Sequence, residues 1–197
     1  MKKITFYFFI AAFIFLNSCA PIPKGYNAVS GSNDIYVKYD KLAASNFYNH
    51  KLFFERYVEY KKPLEIYISE RDGNAQIRIS LMTSHDVPIK YDQVLLYDGE
   101  GNQLVMDISG PNKVYKTTIE GYHIELGDYG VSEKEIYTLY KIFRDEIATP
   151  TVRFMGNRHY DVSLDNKNVE AVRQMLRFYK KKRATLGKEL DETKLDF

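Results

Sequence analysis

Two short patterns carry the side chains best suited to chemistry, His123-Ile-Glu125 and His159-Tyr-Asp161. Residues two apart in a strand point to the same face, so each pattern projects an imidazole beside a carboxylate. On neighbouring strands, His123, Glu125, His159 and Asp161 would converge as two nitrogens and two carboxylates. That donor set suits zinc and metal-assisted hydrolysis in particular. The same alternation fits the wet face of a half-exposed strand equally well. His50 and His85-Asp86 fall in predicted loops and could act as bases, but no Gly-x-Ser-x-Gly elbow accompanies them. The chain also lacks a Walker A loop, a dinucleotide fingerprint and a His-Glu-x-x-His helix. Asp98-Gly-Glu-Gly-Asn102 alternates oxygen ligands as a calcium loop does. An EF-hand loop requires Gly at its sixth position and Glu at its twelfth, where this chain has Gln103 and Ser109. A hairpin turn accounts for both glycines.

Binding is the other class of chemistry. Arg177, Lys180, Lys181, Lys182 and Arg183 form the densest run of charge. Cations at a helix C-terminus complement its dipole by about 0.3–1 kcal/mol each. The alternative is a basic patch for anionic headgroups or cell-wall polymers. The 17 tyrosines alternate with aliphatic residues in several segments, as Tyr67 does between Ile66 and Ile68. Tyrosine rows on an exposed sheet face stack on sugars or form protein-binding surfaces; elsewhere they cover the rim of a core with the hydroxyl in water.

The N-terminus speaks to location. Lys2 and Lys3 precede residues 4–16, which are apolar apart from Thr5 and Tyr7. That is short for a membrane span and suited to a signal peptide. The stretch closes on Leu16-Asn17-Ser18-Cys19, which resembles the lipobox of bacterial lipoproteins. The resemblance implies removal of residues 1–18, a diacylglyceryl group on the Cys19 sulfur, and acylation of the new amine by a fatty chain such as palmitate. Each buried methylene adds about 0.8 kcal/mol, so two or three chains make the attachment effectively permanent. Ala20 stands where some bacteria place an Asp retention signal, which favours the outer membrane over the inner one. Cys19 is also the only cysteine, so no intrachain disulfide, thiolate catalysis or cysteine zinc site arises in the remaining chain.

Removing Lys2 and Lys3 from 28 basic residues leaves 26, against 26 acidic ones, so no global field favours nucleic acid. Residues 19–34, rich in Pro, Gly, Ser and Asn, are expected to tether the domain away from the membrane. Residues 35–182 then carry enough chain for a single globular domain.

Within it, 35–39 read as a strand and 40–51 as a loop or short helical turn. Residues 52–60 fit strand better than helix. Arg71-Asp-Gly-Asn74 turns a hairpin between Leu64/Ile66/Ile68 and Ile77/Ile79/Leu81, because Asp-Gly supplies the positive φ that such turns need. Strands follow over 90–98, over Leu104 to Ile108, over 114–119 and from Tyr122 to Leu126. Ser132-Glu-Lys-Glu135 fits a capping box for a helix with Ile136, Leu139, Tyr140, Phe143 and Ile147 in one stripe, stopped by Pro150. A hairpin around Gly156-Asn157 leads to a second helix, capped by Asp165 and burying Val169, Val172, Leu176 and Tyr179. Residues 183–197 are expected to form a charged, mobile tail.

The expected fold is therefore α+β: an antiparallel β-sandwich-like sheet with two amphipathic helices near the C-terminus. The expected function is a non-catalytic envelope lipoprotein that binds an envelope protein or polymer and needs no cofactor. A metal-assisted envelope hydrolase and a small-ligand carrier are the alternatives.

Overall fold

The computed structural model describes residues 22–55, 62–109, 115–119, 121–144 and 149–195. The lipobox-like stretch with Cys19, and Ile147 of the first helical stripe, lie outside them. The fold is α+β, with two antiparallel sheets packed in a sandwich-like manner and both helices near the C-terminus. The larger sheet contains β1 (Asn27–Ala28), β2 (Ile35–Asp40), β3 (Ser45–His50), β4 (Leu64–Arg71), β5 (Asn74–His85), β8 (Tyr115–Ile119) and β9 (Tyr122–Gly130). Its order is β1-β2-β3-β4-β5-β9-β8. The smaller sheet, β11-β10-β6-β7, uses β6 (Gln93–Tyr97), β7 (Gln103–Asp107), β10 (Thr151–Met155) and β11 (His159–Ser163).

Period-two patterning sets the faces. Leu64, Ile66 and Ile68 of β4 and Ile77, Ile79 and Leu81 of β5 are completely buried. The residues between them point outward, where Tyr67 opposes Arg78. The β4–β5 turn closes at Arg71 and Asn74, with Asp72 at φ 50° and Gly73 at φ 70°. Positive φ at both central residues twists a two-residue hairpin the way its strands require.

Helix α1 (Glu133–Ile142) packs on β7, and α2 (Asn166–Thr185) lies across β3, β4 and β5. Glu135 reaches back from α1 to accept the Ser132 N–H at 2.8 Å and its hydroxyl at 2.5 Å. Asp165 accepts the Asn168 N–H at 2.7 Å, satisfying a first-turn amide of α2. The expected stripe of Val169, Val172, Leu176 and Tyr179 is buried. Tyr140 ties the helices by donating to the Leu176 carbonyl at 2.5 Å.

Four expectations fail locally. The 40–51 segment contains β3, whose Asn49 and His50 are buried despite being polar. A 3-10 turn occupies Lys51–Glu55 where strand was expected, and residues 56–61 lie outside the described set. The tail is not loose: Leu190 and Leu195 are buried, and Tyr137 accepts the Asp191 N–H at 3.2 Å. Burial of these two leucines outweighs the charged residues between them. The supposed tether is also shorter than expected, because β1 pairs with β2 and Tyr26 packs on Phe54 at 4.7 Å.

Candidate binding face

The four expected metal ligands do not converge. His123 and Glu125 lie near the start of β9 in the large sheet, whereas His159 and Asp161 lie on β11 at the edge of the small one. Among the described residues no group of three or more His, Cys, Asp or Glu side chains could hold a metal. Each carboxylate is committed elsewhere. Asp161 takes a two-pronged pair from Arg153, Nε to Oδ1 and Nη2 to Oδ2, both at 2.7 Å. Glu125 is only 1% exposed and accepts the backbone N–H groups of Ile89 at 2.7 Å and Lys90 at 2.9 Å. It thereby fixes the strap leading from the large sheet to the small one.

The other histidines are structural as well. His50 ends β3, and its Nδ1 accepts the Leu52 N–H at 3.1 Å. Nε2 therefore carries the proton and donates to Gln174 Oε1 at 3.0 Å. Burial lowers the His50 pKa, consistent with a neutral ring. His85 ends β5 with its ring edge-on to Tyr160, 3.9 Å between centroids. Asp98 shapes its turn by accepting the Glu100 N–H at 2.8 Å, the Asn102 N–H at 3.2 Å and the Asn102 side-chain amide at 2.6 Å.

The basic run on α2 is largely neutralised. Arg177 pairs with Glu170 at 2.6 Å, Lys180 with Glu192 at 2.8 Å, Lys182 with Glu70 at 3.0 Å and Arg183 with Glu133 at 2.5 Å. Lys182 also lies over the Tyr48 ring. Among the described residues, Lys181 alone of the five has no ion pair, which leaves little free charge for an anionic surface.

The outward side of the large sheet is different. Two adjoining concavities of about 440 and 580 Å³ share Phe47 and Tyr67 on their walls. The first is lined by Pro23, Tyr26, Phe53 and Phe54, with Asn49, Glu65 and Ser80 supplying polar atoms. The second is floored by Ser69, Gln76, Arg78 and Asp128. The strands dictate this mixture, since the outward positions of β3, β4 and β5 hold aromatics and short polar residues in place of aliphatics.

A three-residue clamp holds the centre of this face. Arg78 Nε donates to the Tyr67 hydroxyl at 2.9 Å, and Arg78 Nη2 donates to Asp128 Oδ2 at 2.8 Å. The Tyr67 hydroxyl donates in turn to Asp128, 3.0 Å from Oδ2. Burial, reinforced by the neighbouring Asp128 charge, pushes the Tyr67 phenol well above its ordinary pKa. A phenol held protonated does not act as a base at neutral pH; it fixes the ring. Phe47 lies 6.1 Å from that ring, and Asn49 donates to the Tyr26 hydroxyl at 3.3 Å. The arrangement offers preset aromatic surfaces beside hydrogen-bonding groups, without a nucleophile-and-base pair.

Tyr67 was visible in the sequence as an outward tyrosine. Tyr26, Phe47, Phe54, Arg78 and Asp128 were not, because they meet only through strand pairing across as much as 50 residues. The alternation in Phe47-Tyr-Asn49 was the available signal. No family model matches this chain, and neither curated proteins nor solved structures give a significant match.

Proposed function

We propose that this protein is a lipid-anchored lipoprotein of the bacterial envelope whose outward large-sheet face binds an envelope protein or polymer without catalysing a reaction. The observation that carries the binding part is the pair of aromatic-lined concavities meeting at Phe47 and Tyr67. Aromatic rings give large contact area with few rotors to freeze, and the Arg78–Asp128 clamp holds Tyr67 before any partner arrives. The anchor part is supported by the Leu16-Asn17-Ser18-Cys19 sequence.

Both parts can be tested together. Growth with labelled palmitate should mark the chain, and Cys19→Ala should abolish the label. Detergent-solubilised protein on beads should retain an envelope component that a Phe47→Ser, Tyr67→Ser double variant loses while keeping its circular dichroism spectrum. An unlabelled chain rejects the anchor; equal retention by the double variant rejects this face as the binding site.

A further inference from the structure

The hairpin between β2 and β3 ends in exposed apolar side chains flanked by exposed lysines. Leu42 is 100% exposed and Tyr39 is 58% exposed. Lys38 and Lys41 flank them on the sequence and are themselves exposed. Asp40 does not offset the apolar tip, because its carboxylate is turned back to accept the Leu42 N–H at 2.8 Å and the Ala43 N–H at 3.0 Å. That turn holds Leu42 at the apex and gives its side chain no core to enter. A cationic collar around a leucine and a tyrosine is the composition of a membrane-interface contact: apolar groups enter the acyl boundary, and lysines meet anionic headgroups.

The position of the chain entry names the surface it meets. β1 runs antiparallel to β2 with Asn27 opposite Val37, which sets Tyr26 beside Lys38 before a turn at Lys24 and Gly25, closed by the Tyr26 N–H donating to the Pro23 carbonyl at 3.3 Å, folds the chain onto the outward face of the sheet. A Cβ on Gly25 would stand 3.9 Å from Lys38 Cε, and the Lys38 ammonium lies over the Tyr26 ring. Lys38 is four residues from Leu42, ~13 Å along an extended strand. Cys19 precedes Ile22 by three residues, which reach at most ~11 Å. An anchor at Cys19 therefore keeps the Lys38 end of β2 close to the bilayer. Ile22 and Lys24 are exposed where the chain enters.

We infer that the β2–β3 hairpin tip, with Leu42 and Tyr39 framed by Lys38 and Lys41, is a second membrane contact that seats the anchored domain on an anionic lipid surface. This contact rests on the anchored reading above and goes beyond it, since an acylated cysteine alone would leave the domain free to tumble about its attachment.

The chain contains no Trp, so one substitution supplies a unique fluorescent reporter. Full-chain protein carrying Leu42→Trp would be reconstituted into phosphatidylethanolamine and phosphatidylglycerol vesicles, with or without brominated acyl chains. Tyr122→Trp serves as the control, because Tyr122 is exposed at the β8–β9 hairpin tip at the opposite end of the same sheet. The expected result is a blue shift and loss of emission to brominated lipid for Leu42→Trp, with neither for Tyr122→Trp. Protein that floats with the vesicles while both reporters respond alike, quenched or unquenched, overturns the hairpin contact and leaves the anchor standing. Protein that fails to float overturns the anchor and the contact with it.

Discussion

Glu125 and Asp128 sit three residues apart on β9 and face opposite sides of the same sheet. Glu125 points inward and serves two backbone amides of the 89–90 strap. Asp128 points outward, is 43% exposed, and serves only the side chains of Arg78 and Tyr67. The inward carboxylate is part of how the two sheets are joined. The outward one orders a surface that the fold would keep without it. An acid near a histidine in sequence therefore predicted chemistry at the wrong place, and an acid with no suggestive neighbour in sequence lies at the candidate site.

The contrast predicts graded effects. Glu125→Ala strands the buried Ile89 amide and the part-buried Lys90 amide, at about 1–3 kcal/mol for each. A loss of about 3–5 kcal/mol in urea denaturation is expected, and Glu125→Gln should recover part of it through its remaining carbonyl acceptor. A loss below about 1 kcal/mol for Glu125→Ala would mean that the strap is held by other means.

Alkaline titration sharpens the same inward–outward contrast with tyrosines. Burial raises the pKa of Tyr140, and burial raises that of Tyr67 with help from Asp128. Below pH ~10 these phenols are protonated whether the chain is folded or not, so stability does not depend on them. Above it the unfolded chain releases protons that the folded chain keeps, and stability falls with rising pH. For buried Tyr140 the slope approaches ~1.4 kcal/mol per pH unit, and Tyr140→Phe should flatten it. An ultraviolet tyrosine titration in which every phenol ionises before unfolding would contradict this.

Asp128→Asn should cost only about 0.2–1 kcal/mol, as a half-exposed pair does. Its signature is instead mobility of the Tyr67 ring in NMR relaxation and weaker partner retention. Smallest of all should be Asp161→Asn, which breaks the exposed pair with Arg153 on the small sheet. No measurable change in the urea midpoint or in partner retention is expected from it.

Local signals read well in this sequence. The Asp72-Gly73 turn, the Ser132 and Asp165 helix starts and the inward stripes of β4, β5 and α2 all depend on neighbours within a few residues. β3 did not read as a strand because Asn49 and His50 are polar yet buried, and the acceptor for His50 is Gln174, 124 residues away. The C-terminal tail misled through composition, since burying Leu190 and Leu195 outweighs the charges between them. The candidate face was legible only at Tyr67; its other members assemble through the β3–β4–β5–β9 register and the packing of Tyr26 on Phe54.

The most direct test of the binding face is to place a photoreactive residue at Phe47, and separately at exposed Val105 on β7, in protein expressed at its native level in the envelope. Irradiation should give a discrete adduct from Phe47 that is absent from Val105 and is lost when Tyr67→Ser is added. No adduct from Phe47, or the same adducts from both positions, would contradict the assignment of function to the outward face of the large sheet.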